Sequence, residues 1–528
     1  MLRVRNGVAA AWVSSRRSLT MRTPPALTLV PLALACVSEH GPLTNRMSQS
    51  TTSYLTRAAR QPVSWQPWGR EAFALAARLN RPVLLYVGAD DCRWCVVMDR
   101  EVYGDPTIGA VIDSLFVPVR VDRDERPDVA QRYEAAVQWL AGLRGYPLTL
   151  FLTPDGSAFL GGTYFPADDP VTGRGMKQML PEVARSYREQ RRAIDQHAAL
   201  VRQLELSRGA AARGALRPGV IAAAIDTVRD ALAVAARGAG VVGSFVHTQA
   251  AALLLAAYAR TDDTSYLAVA RRALDLLVDS AAGASSPAAG VRDDPPSLVR
   301  AGLLRAVAQA WALTAEARYR VVSGALLRFL TRDLGEADRP VFADRDAYVI
   351  GSVLDGATAV DDSGATARGL AALDRLLRRT YVAGRGVRHA LRGDAGRSWL
   401  RDQVQVAGAC LAAYNATGRR RYLAVAEDLA AVLERDYADP QGGYRDVAAG
   451  DPAVSSLADR TSSVLDDLLP GGNAWAARVL LQLAEATGDA QYRRRAAAAL
   501  GAFAAVAPAQ NVRAATYLGA AQQLLAAR

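Results

Sequence analysis

The chain has 528 residues, 51% apolar and 22% charged, ordinary globular usage that excludes a disordered or fibrous protein. Four cysteines are too few for a disulfide-stapled scaffold. The net charge is +11, but residues 1–60 hold eight arginines against one acid, Glu39, and so carry +7 of it. The basicity is mainly that of a leader, and no nucleic-acid partner is expected.

Residues 26–36 (ALTLVPLALAC) form an apolar run behind Arg22. As a helix it would span about 16 Å, too short for a bilayer core of about 30 Å, and it reads as the core of an export signal. Its end, Ala33-Leu34-Ala35-Cys36, resembles a lipoprotein cleavage box and makes Cys36 a lipidation candidate. Upstream, Ser15-Arg16-Arg17-Ser18-Leu19 resembles a twin-arginine export motif, and Met21 is an alternative start. The expected location is extracytoplasmic, periplasmic with or without a lipid anchor, or cytoplasmic if the leader is not a signal. Residues 1–60 are assigned to leader and linker.

The first ordered domain is expected at 61–205. A helix is predicted over 70–79, then a buried strand over 82–88 running into Asp91-Cys92-Arg93-Trp94-Cys95 and a helix over 96–102. Strand, C-x-x-C, helix is the setting of a redox site. At the helix N-terminus the Cys92 thiolate is favoured by unpaired backbone N–H groups and the helix dipole, with Arg93 adding positive charge. Cys95, one turn on, can resolve a mixed disulfide. A strand over 115–122, a helix over 127–140 and strands over 148–152 and 158–160 follow. Tyr146-Pro147 precedes the strand expected to face the cysteines, where thioredoxin-like folds place a cis-proline. The competing readings are half of a zinc site and a structural disulfide. Zinc is disfavoured because no second cysteine pair follows and His40, His197, His247 and His389 are remote in sequence.

Four segments together resemble the thioredoxin-like domain of the spermatogenesis-associated protein 20 family. They are 65–73 (WQPWGREAF), 92–98 (CRWCVVM), 121–128 (VDRDERPD) and 152–166 (LTPDGSAFLGGTYFP). The family pattern carries histidines where this chain has Arg93 and Val96. A mechanism using either histidine is not available here, whereas dithiol chemistry needs only Cys92 and Cys95.

After a linker at 206–217, residues 218–528 are alanine- and leucine-rich with helical periodicity. A phrase recurs around Tyr266, Tyr319, Tyr422 and Tyr492, separated by 53, 103 and 70 residues. This fits helix–turn–helix units of about 50 residues, with one diverged copy between Tyr319 and Tyr422. Six such hairpins can close into an (α/α)6 toroid. The resemblance implies the same body, similar to six-hairpin glycosidases and sugar 2-epimerases, with 440–444 and 469–474 as loops at its mouth. The family's glycine-rich and histidine-containing segments are not found between 230 and 310, so sugar chemistry has little support. Asp361, Asp362, Asp466 and Asp467 remain candidate acids, read primarily as loop or cap residues, and Cys410 as a small buried hydrophobe.

The expected fold is thus an α/β thioredoxin-like domain followed by an all-α, six-hairpin glycosidase-like toroid. The expected activity is thiol–disulfide exchange, with Cys92 as nucleophile, Cys95 as resolving thiol, and Arg93, Trp94, Tyr146 and Pro147 against the substrate. Partners would be protein thiols or disulfides. No cofactor or metal is expected. A carbohydrate-active or carbohydrate-binding ring and a non-enzymatic scaffold with a structural Cys92–Cys95 bond are the alternatives.

Overall fold

The computed structural model describes residues 43–172, 174–210, 212–237, 245–283, 296–334, 342–390, 398–449 and 462–526. Cys36, His40 and the export segment lie outside them.

The N-terminal domain runs α1 (Ser53–Ala58), β1 (Gln66–Pro67), α2 (Arg70–Leu79), β2 (Val83–Gly88), α3 (Arg93–Glu101), α4 (Pro106–Leu115), β3 (Val117–Asp122), α5 (Pro127–Ala141), β4 (Leu148–Leu152), β5 (Ala158–Gly162), α6 (Met176–Glu189) and α7 (Arg191–Ala210). The sheet order is β1-β3-β2-β4-β5, parallel on the β1, β3, β2 side and antiparallel from β2 to β4 to β5. The central strand β2 has neighbours on both edges, and Val83–Val87 are fully buried, which explains its uninterrupted apolar sequence. α4, which the strand-and-turn pattern does not announce, starts where Asp105 accepts from Thr107 N at 2.7 Å with Pro106 in the first turn.

The ordered domain begins upstream of residue 61, within the stretch assigned to leader and linker. Met47, Tyr54, Leu55 and Ala58 are buried in the sheet's core, and Asn45 Nδ2 donates to Ala58 O and Val63 O, each at 2.9 Å. A six-residue helix in basic surroundings has too little periodicity to stand out in the sequence.

The C-terminal body comprises α8 (Pro218–Ala235), α9 (Phe245–Thr261), α10 (Thr264–Gly283), α11 (Pro296–Thr314), α12 (Ala317–Asp333), α13 (Ala343–Val360), α14 (Ser363–Thr380), α15 (Leu400–Thr417), α16 (Arg420–Val432), α17 (Gly472–Thr487), α18 (Ala490–Gly501) and α19 (Ala515–Ala526). The inner helices α9, α11, α13, α15, α17 and α19 each pack on the next, and α19 returns to α9. The alternate helices form the outer layer, with α8 against α19 closing the ring. This is the (α/α)6 toroid.

Each inner helix that runs directly into an outer one turns on a left-handed residue: Asp262, Ala315, Asp361, Gly418 and Gly488, with φ of 54° to 78°. The anchor tyrosines Tyr266, Tyr319, Tyr422 and Tyr492 each lie four residues past such a turn. The diverged copy is the α13–α14 hairpin. There Ala365, fully buried, occupies the tyrosine's position, so the tyrosine pattern skips it while the turn remains.

Candidate active site

Cys92 is the N-cap of α3, and its Sγ accepts from Cys95 N at 3.1 Å. The two cysteines form a disulfide, Cα–Cα 5.2 Å, and neither has any solvent exposure. The N-cap position aims the first-turn N–H groups of α3 at Cys92 Sγ, so a thiolate there is stabilised by local dipoles. Tyr146-Pro147 is a cis peptide leading into β4, the partner of β2. Arg93 and Trp94 sit on the outer side of α3; Trp94 is 38% exposed and packs on Tyr164, ring centroids 4.9 Å apart. Val96 is half exposed. The two positions that carry histidine in the family therefore face outward here.

Under the disulfide lies a charged floor that sequence reasoning did not find. Arg120, fully buried in the middle of β3, makes two 2.7 Å bonds to the Asp99 carboxylate and lies 4.1 Å from the Tyr54 ring centroid and 5.1 Å from that of Tyr86. Tyr86 OH donates to Cys95 O at 3.4 Å. Asp122, at the end of β3, is pushed up to about 7 by burial and by the Asp124 carboxylate. The only signal in the sequence was an arginine and an aspartate inside an otherwise apolar strand, VPVRVD.

The third wall comes from the ring. Arg123 stacks over Tyr146 at 5.0 Å and pairs with Asp91 at 2.5 Å and Asp124 at 2.9 Å. Arg345, on α13, reaches the same two carboxylates, Asp91 at 3.1 Å and Asp124 closer still. His389 Nε2 donates to the Asp124 carbonyl at 2.7 Å while Nδ1 faces Asp402 Oδ1 at 2.7 Å. A carbonyl can only accept, so Nε2 carries a proton, and the carboxylate beside Nδ1 holds a second. Burial opposes that charge, but Asp402 and Asp344 outweigh it and raise His389 to about 9. A cavity of about 20 Å³, room for one water, remains at this seam among Arg123, Tyr146, Asp344, Arg345 and Asp467. Glu134, buried opposite Asp467, is raised to about 8, first by desolvation and then by that carboxylate.

Asp344, His389 and Asp402 cluster closely enough to offer three metal ligands. In this structure His389 bridges Asp402 and the Asp124 carbonyl, and Arg401 Nε stands 3.6 Å from Asp344.

The other expected residues are dispersed. Asp361 is the left-handed turn residue and Asp362 caps α14, accepting from Ala365 N at 2.8 Å. Asp466 is fully buried, accepts from Gly471 N and Thr516 N, and is raised to about 7 by burial. Cys410 and His247 are buried, and His197 is exposed. The loops 440–444 and 469–474 tie to each other, Asn473 exchanging two 2.7 Å bonds with the Tyr444 backbone. Inside the ring, Phe245, Tyr348 and Trp475 pack together, Gln249 donates to Tyr348 OH at 2.9 Å, and Arg305 stacks on both Tyr348 and Trp475. These are packed aromatics around the Arg305 cation, which pairs with the Asp355 carboxylate.

Residues 44–205 match the profile of a thioredoxin family, DsbH type, described as "Protein of unknown function, DUF255". Over 150 residues the chain is 38% identical to human spermatogenesis-associated protein 20, which is 28% of this chain and 19% of that protein. An uncharacterized Caenorhabditis elegans protein is 38% identical over 160 residues, 30% of this chain and 22% of that one. The thioredoxin-like domain belongs to the spermatogenesis-associated protein 20-like family. The match spans about a fifth of the length of these relatives. Over 59% of its length the chain is similar to an unsaturated glucuronyl hydrolase specific for heparin (TM-score 0.46, 14% identity, 98% of that chain). It is also similar to the cellobiose 2-epimerase of Bacillus thermoamylovorans B4167 (TM-score 0.40, 12% identity, 49% and 74%). At these scores neither says anything about what the ring binds. In this spermatogenesis-associated protein 20-like domain, Cys92 and Cys95 follow the end of β2 and Tyr146-Pro147 leads into its partner β4 at the same end, with Arg93 and Trp94 on the exposed side of α3.

Proposed function

We propose that the protein is an exported thiol–disulfide oxidoreductase whose helical ring covers the exchange site. The observation that carries this is Cys92 Sγ at the N-cap of α3, bonded to Cys95 and set in the fold that places cis-Pro147 beside β2. A substrate thiolate attacks Cys92 Sγ, the Cys92–Cys95 bond breaks and Cys95 leaves as thiolate. A second substrate thiolate then attacks the mixed disulfide and releases Cys92. Two electrons pass from the substrate dithiol to the protein, and the reverse sequence passes them on to a partner's disulfide, which is reduced as the Cys92–Cys95 bond re-forms. Arg93, Trp94 and Tyr164 offer a cationic and aromatic rim for a peptide substrate.

Complete burial of both sulfurs favours a second reading, a structural disulfide. The two separate in glutathione buffers, with Cys92→Ser as control. A potential between about −270 and −120 mV supports exchange, and one below about −300 mV supports the structural bond. Export and lipidation are proposed from the leader alone; loss of acyl labelling in Cys36→Ser tests the anchor.

A further inference from the structure

We infer that the Tyr54 hydroxyl is the hydrogen-bond donor that receives Cys95 Sγ when the Cys92–Cys95 bond opens. The inference rests on the reading of that bond as an exchange site. The deciding geometry is at Gly88, the last residue of β2. A Cβ built there would lie 2.8 Å from Cys95 Sγ and would collide with the Tyr54 hydroxyl oxygen. The sulfur and the hydroxyl thus both border the space that a single methyl group at Gly88 would fill.

The Tyr54 hydroxyl is buried and has no hydrogen-bond partner among the described residues. A buried hydroxyl without a partner is costly unless something offsets it. A disulfide sulfur is a poor acceptor, whereas a thiolate is a strong one, so the missing partner is supplied by reduction. Cys410 shows what befalls a thiol lacking such a donor: burial among apolar side chains raises it far above the usual cysteine range. Cys95 is equally buried and, as the leaving group, must carry negative charge when the bond breaks.

The surroundings suit the role. Burial keeps Tyr54 a neutral phenol, so it arrives with its proton. From β3 the Arg120 guanidinium lies 4.1 Å from the Tyr54 ring centroid and adds positive charge beneath the pair. The other charged or titratable groups facing Tyr54 are Asp99 from α3, which Arg120 neutralises, Asp122 from β3, and Tyr103. Tyr86 from β2 is engaged with Cys95 O.

The test titrates the Cys95 thiolate by its ultraviolet absorbance in full-length Cys92→Ser, with and without Tyr54→Phe. Phenylalanine keeps the ring over Arg120 and removes only the hydroxyl. Loss of one hydrogen bond to a charged group should leave about tenfold less thiolate at a given pH. Tyr133→Phe, which removes a buried hydroxyl bonded to Gly156 O, should change nothing. An unshifted titration in Tyr54→Phe overturns the inference. Should that variant not fold, the wild-type chain labelled with carbon-13 at tyrosine Cζ decides it. One buried tyrosine resonance should move on reduction with dithiothreitol, and an unchanged spectrum overturns the assignment. Neither readout uses a physiological substrate. A shifted titration in a protein that exchanges with no dithiol substrate would retain the Tyr54 contact and discard the oxidoreductase reading.

Discussion

Arg345 of the ring lies 3.1 Å from Asp91, the residue immediately before Cys92. The two are 254 residues apart in sequence. Through this pair, and through Arg345 with Asp124, the helical body grips the loops that frame the disulfide. The ring therefore touches the loops beside the disulfide by way of its inner helix α13.

Replacing Arg345 by alanine should loosen that contact. Arg123 continues to compensate Asp91 and Asp124, so the loss is at the low end of the range for charged hydrogen bonds, about 1.5 kcal/mol. The expected outcome is a several-fold faster reduction of Cys92–Cys95 by dithiothreitol with little change in its equilibrium potential. Unchanged kinetics would show that access is governed elsewhere.

His389 makes the seam pH-dependent. Its folded value, about 9, lies above the ordinary 6.5, so the stabilisation is fully present below pH 6.5 and is lost as pH rises through 9. The shift corresponds to at most about 3 kcal/mol. Denaturant titrations between pH 6 and 10 should show wild type losing more stability than His389→Gln over this window, the variant keeping the smaller losses from the raised carboxyls Asp122, Asp466 and Glu134. Parallel pH profiles for the two proteins would contradict the assignment.

The Arg120–Asp99 pair should dominate the stability of the thioredoxin-like domain. Arg120→Met keeps the side chain's length but leaves Asp99, 17% exposed, beside aromatic rings without its cation. A loss of about 3 kcal/mol is expected in urea unfolding. Arg120→Met with Asp99→Leu should recover much of it, and failure to recover would mean that the cation–π stack outweighs the ion pair.

Ala365 tests the ring's repeat logic. It is fully buried where four other hairpins place a tyrosine. Ala365→Tyr should therefore destabilise by about 1–3 kcal/mol through overpacking, despite restoring the consensus. Thermal unfolding at or above the wild-type midpoint would mean the site retains room for the ring.

The sequence by itself determined the local pieces. The strand over 83–88, the C-x-x-C at the head of α3, the proline before β4 and the turns at Asp262, Gly418 and Gly488 are each written within about ten residues, by hydrophobic period and turn chemistry. The hairpin count survived the loss of one tyrosine because spacing alone required another copy. Only the tertiary structure placed Tyr54 and Arg120 under the disulfide, paired His389 with Asp402, and laid the ring against Asp91 and Asp124. His389 and Asp124 are 265 residues apart, and pairings at that separation leave no periodic trace. A charged residue's role there depends on whether burial strips its water and which opposite charge replaces it, and the packed chain alone supplies both.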